Sequence, residues 1–119
     1  MKLKLAGCLL CIAGLSHAEV LTQQAYDQKV QQHMQVIQQT KAILDQPDSQ
    51  ADAKQQSQAL CERLSAYEQI ALLSKENPSL EMASVMLMAS QNFLDRQKAS
   101  LGDSGMTASV FCAGKTPAQ

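Results

Sequence analysis

Cys61 and Cys112 are the residues best placed to do chemistry in this chain of 119 residues. Cys61 sits beside Leu60 and Leu64 in an amphipathic stretch, and Cys112 follows Val110-Phe111 near the C-terminus. Paired, they close a loop of roughly 50 residues, a cross-link that chain-entropy reasoning values at roughly 4 kcal/mol. A redox thiol pair calls instead for Cys-x-x-Cys spacing, or for a His or Lys beside one sulfur to lower its pKa. Neither accompanies these two residues, so the expectation is a structural disulfide.

Three further groups of residues invite a chemical reading. Gly102-Asp103-Ser104-Gly105 resembles the segment around the nucleophile of chymotrypsin-like serine proteases. That resemblance covers four residues of a chain too short for such a fold and without a paired histidine base. A helix C-cap and turn explain the same letters. His33 is the only histidine after residue 18, so a metal site lacks further imidazole ligands, and a packed ring is expected. Met82, Met86 and Met88 could offer soft thioether ligands to copper. On a helix, however, Met88 points roughly 160° away from Met86, which leaves core filling or an adaptable contact surface. No catalytic residue, metal or cofactor is therefore assigned.

Three helical segments must position these groups. Tyr26, Val30, Met34, Ile37 and Leu44 recur at helical spacing and predict a helix over 21–46, stopped by Pro47. A second helix is expected from Asp48 or Ser49, with Ala53, Leu60, Leu64, Tyr67 and Ala71 as its stripe. A third is expected to open at Asn77 as N-cap with Pro78 at the first helical position. It runs to Leu101, with Gly102 as the left-handed residue beyond it. Leu80, Leu87, Leu94 and Leu101 form one seam of this third helix, and Met82, Met86, Ala89 and Phe93 a second. Two apolar seams place it at the centre of the bundle, with a dimer interface along the leucines as the alternative. Residues 103–119 are expected to add a short segment tied on by the disulfide. The fold class is thus an all-α up-and-down bundle of three long helices plus that segment.

Residues 1–18 read as an export address. Lys2 and Lys4 precede an apolar run from Leu5 to Leu15, and Ser16-His17-Ala18 ends it in a small-x-small pattern. The expected domains are therefore a cleaved signal peptide, 1–18, and a single helical domain, 19–119. Leu5-Ala6-Gly7-Cys8 also has the letters of a lipoprotein box, and membrane association is expected only if Cys8 is lipidated. Cleavage after Ala18 removes Cys8 and Cys11 and leaves eight basic against eleven acidic residues, a net charge of −3. The location expected is the periplasm or the secreted space, where a disulfide persists.

Composition excludes more than it assigns. No basic cluster interleaved with aromatics is present, so no nucleic-acid partner is expected. Thirteen glutamines between residues 23 and 58 alternate with apolar residues and fit the wet face of a helix. The function expected is a non-enzymatic, exported protein-binding module of inhibitor or immunity type. Its partner surface is placed at Leu80, Met82, Met86, Leu87, Phe93 and Leu94. A structural adaptor using coiled-coil contacts along Tyr26, Val30, His33, Ile37, Thr40 and Leu44 is one alternative, and a periplasmic chaperone another.

Overall fold

The computed structural model describes residues 20–114; the leader read from residues 1–18 lies outside them. Three long helices run up and down, α1 (Gln23–Leu44), α2 (Ala53–Glu76) and α3 (Ala83–Asp103), followed by the single turn α4 (Ala108–Phe111). No strand occurs among the described residues. The fold class read from the sequence is the one observed.

α2, not α3, is the central helix. Both α1 and α3 lie along α2 and touch one another only marginally. The predicted central place of α3 rested on its wide apolar arc, but that arc is divided between a buried line and flanks open to water. α2 has the fully buried residues Ala59, Cys61, Leu64, Ala66, Ile70, Leu73 and Ser74, against Ala83 and Ser90 for α3. Two clusters carry the core. Tyr26, Leu73 and Ala83 meet at one end, with Leu21, Val30 and Leu80 packed against them. Ile37, Ala66 and Ile70 meet further along, flanked by Met34, Val36, Tyr67 and Met86.

Helix ends depart from the expected boundaries for local polar reasons. Thr22 caps α1, its hydroxyl accepting from the Ala25 N–H at 3.1 Å. The helix stops at Leu44, ahead of Pro47, with Asp45 as its C-cap. α2 begins after Asp52 rather than at Asp48 or Ser49. There the Asp52 carboxylate accepts from the Gln55 N–H while the Gln55 side chain accepts from the Asp52 N–H. This reciprocal capping box satisfies two otherwise orphaned donors, and Ser49 is left to a turn.

The largest departure is at Asn77. It does not cap α3, because its side chain is buried and already engaged. Its Oδ1 accepts the Leu21 N–H at 2.8 Å, and its Nδ2 donates to the Leu73 carbonyl at 2.9 Å. Asn77 thus ends α2 and ties the entry of α1 to it. The chain then turns through Pro78–Met82, and α3 opens five residues later than expected, at Ala83 rather than Pro78. At the far end, Gly105 rather than Gly102 takes the left-handed conformation, at φ +74°. The Gly105 N–H donates to the Gly102 carbonyl and the Met106 N–H to that of Leu101, a Schellman closure.

Asn77 also sits beside the Tyr26–Ser74 hydroxyl pair, 2.7 Å apart and fully buried. Among the described residues no buried side-chain N or O atom is left without a partner. Removing the Asn77 amide strands the Leu21 donor and the Leu73 acceptor in a dry site, which costs about 1–3 kcal/mol per stranded group. Asn77→Ala is therefore expected to lower the unfolding free energy by roughly 2–4 kcal/mol. Gln38→Ala, on the exposed face of α1, should change it by less than about 0.5 kcal/mol. Urea titration of both variants checks this.

Candidate functional site

The disulfide comes first because it positions the tail. Cys61 and Cys112 are joined, with Cα atoms 5.6 Å apart and a sequence separation of 51. Cys61 is buried in α2, whereas α4 contains no buried residue and turns Val110 out to water. The disulfide thus fixes the tail to the buried side of α2. Such a cross-link forms and persists in oxidising, non-cytoplasmic surroundings. No helix among the described residues is long and apolar enough to cross a membrane.

The residues expected to form a partner surface do not share one face. Leu80 lies before α3 and packs on the Tyr26–Leu73–Ala83 cluster. Met86 packs on the Ile37–Ala66–Ile70 cluster. Phe93 stacks on Tyr67, with ring centroids 4.0 Å apart and planes at 24°. Leu87 is half-buried, and Leu94 is half-buried against a cleft. Only Met82 stands in the open, 58 % exposed. Helical periodicity could not place Met82, since it precedes the helix in a left-handed conformation at φ +67°. That is an uncommon, strained conformation for a residue with a side chain.

The apolar residues that do reach water are Met82, Val85 and Met88, at 58 %, 46 % and 59 % exposure. Ala89, also exposed, continues them. Their spacing of three places Val85 and Met88 on the outer side of α3, away from buried Ala83 and Ser90. The signal was legible, because Val85 and Met88 fall outside both apolar seams while remaining apolar.

Arg63 forms a second polar anchor that its sequence context, beside Glu62, does not reveal. Its Nε donates to Thr40 Oγ1 at 2.7 Å, and its two terminal nitrogens grip the Asp45 carboxylate at 3.1 and 2.9 Å. Thr40 in turn donates to the Ile37 carbonyl at 2.6 Å. The C-terminus of α1 is thereby clamped to α2. Tyr26, Ile37 and Thr40 are all buried within the chain, so much of the α1 seam that suggested a coiled coil is already occupied.

Among the described residues no three His, Cys, Asp or Glu side chains gather as a metal-ligand group. His33 is half-buried on α1. A cleft of about 460 Å³ opens where α2, α3 and the tail meet, with Leu64, Leu94, Met106 and Ala108 among its lining. Fold and surface together define a class, a disulfide-stapled helical bundle bearing an exposed apolar helix face. No family model matches the chain, and neither curated proteins nor solved structures give a match.

Among the described residues, His33 and Asp45 have clearly shifted pKa values. Burial of the His33 ring, together with the nearby Lys29 ammonium, holds its pKa below the ordinary 6.5. The unfolded chain therefore binds this proton at a higher pH than the folded chain does. Stability is full above pH 6.5 and declines as pH falls from there through the lowered folded pKa. The hydrogen bonds from Arg63 hold Asp45 below the usual carboxylate value of 3.8, so its contribution is lost only as pH falls beneath that. Urea midpoints measured between pH 8 and pH 5 should fall below about pH 6.5 in the wild type and stay flat in His33→Gln. An unchanged slope in the variant would assign the effect elsewhere.

Proposed function

We propose that this protein is an exported, non-enzymatic binding module of inhibitor or immunity type that covers another protein with the outer face of α3. The exposed line Met82–Val85–Met88 carries this reading. Methionines supply an adaptable, polarisable contact that can mould to a partner surface. Val85 and Met88 lie on α3 itself with Met82 at its N-cap, and Tyr67–Phe93 stacking and the buried Ala83 and Ser90 hold that helix against the bundle. Apolar anchors displayed on a fixed helix face lose little conformational entropy when covered.

Export rests on the leader pattern of residues 1–18 together with the Cys61–Cys112 bond. The periplasm or the secreted space is the location this supports. Lipid attachment at Cys8 would anchor the same domain to a membrane surface.

Val85→Glu and Met88→Glu test the surface without threatening the fold, because both side chains already face water. Affinity capture from the envelope fraction should retain a stoichiometric partner on the wild-type protein and lose it with either variant. Thermal midpoints should stay within about 2 °C, as expected of exposed sites. A partner held equally by all three proteins would contradict the assignment of this face. A single band that proves to be the chain itself, confirmed by light scattering, would replace the heterologous partner with a homodimer.

A further inference from the structure

The cleft beneath the tail is a different kind of feature from the outer face of α3. It is concave, about 460 Å³ in volume, and three parts of the chain wall it. α2 contributes Leu64, α3 contributes Leu94, and the tail contributes Met106 and Ala108. This size, an apolar lining and a few polar groups at the edge are the usual attributes of a small-molecule site. The tail wall stays in place through Cys112, while α4 points Val110 to water at 63 % exposure rather than into the gap.

Charge distinguishes what such a cleft can hold. Glu68 from α2 and Asp95 and Lys98 from α3 line its polar edge, and all three are exposed. Among the described residues, no side-chain hydrogen bond or ion pair engages any of the three. Two carboxylates against one ammonium leave the edge with a net charge of −1. A fatty carboxylate would place its charge beside Glu68 and Asp95, whereas a cation there is attracted by both.

We propose that this cleft binds the apolar chain of a cationic amphiphile, with the head group held at Glu68 and Asp95. The site is separate from the Met82–Val85–Met88 face, so this reading and the protein-binding reading can each fail alone. The chain would lie on Leu64, Leu94, Met106 and Ala108, replacing water over apolar surface. The head group would remain at the wet edge, where ionic strength weakens its attraction.

The test titrates the oxidised protein with decyltrimethylammonium below its micellar concentration, followed by NMR, with decyl sulfate as the matched anionic probe. Saturable binding is expected, with shifts centred on Leu64, Leu94, Met106 and Ala108. The cation should bind about fivefold more tightly than the anion, a preference of the order of one partly exposed ion pair. The Glu68→Gln/Asp95→Asn protein should lose that preference while keeping its fold, since both residues are exposed. Equal or tighter binding of decyl sulfate, an unchanged preference in the double variant, shifts centred on Val85 and Met88, or no saturable binding would each overturn the proposal.

Discussion

Close approach of helices along α2 is the constraint on which the rest of this structure depends. The most deeply buried positions are largely small: Ala59, Ala66 and Ser74 on α2, Ala83 and Ser90 on α3, Thr40 on α1. Short side chains let the backbones come near, and dispersion contacts accumulate over the length of the helices. The same choice limits the apolar area each residue removes from water, in a domain already small for its surface. Stability must then be supplemented. Asn77 binds the α1 entry to the end of α2, Arg63 clamps the α1 exit to the middle of α2, and Cys61–Cys112 fastens the tail.

This division of labour explains what the sequence revealed. Periodicity of Tyr26, Val30, Ile37 and Leu44, breaks at Pro47 and Pro78, and the even pair of later cysteines were enough for the architecture and the cross-link. The boundaries were harder because caps compete. Asp48, Ser49 and Asp52 are all able N-caps, and Asp52 prevails because Gln55 stands at the reciprocal position. Asn77 before Pro78 has the form of a helix start, yet its amide serves Leu21 and Leu73, which only the folded chain brings near. The Arg63–Asp45 pair, 18 residues apart in sequence, was equally invisible to local pattern.

The candidate surface was less legible for a related reason. A wide apolar arc on a helix shows that much of it is covered, not which part remains open. Ala83 and Ser90 turned out to be the covered line, with Met86 and Phe93 on one flank and Leu87 and Leu94 on the other. Met82 escaped the helical argument through its left-handed backbone, and the exposed face formed from Met82, Val85 and Met88 instead. A pinned inner side and a free outer side make α3 the element on which the proposed binding depends, while the tail bounds a separate cleft.

Native-state hydrogen exchange, measured on the oxidised and reduced protein, tests the central place of α2 most directly. The account predicts that Ala66, Ile70 and Leu73 in α2 exchange only through global unfolding, with Val85 and Met88 on α3 less protected. Reduction should release residues 104–114 first and leave the relative order of the three long helices unchanged. Greater protection in α3 than in α2, or loss of the α1–α2 pairing before the tail is freed, would contradict it.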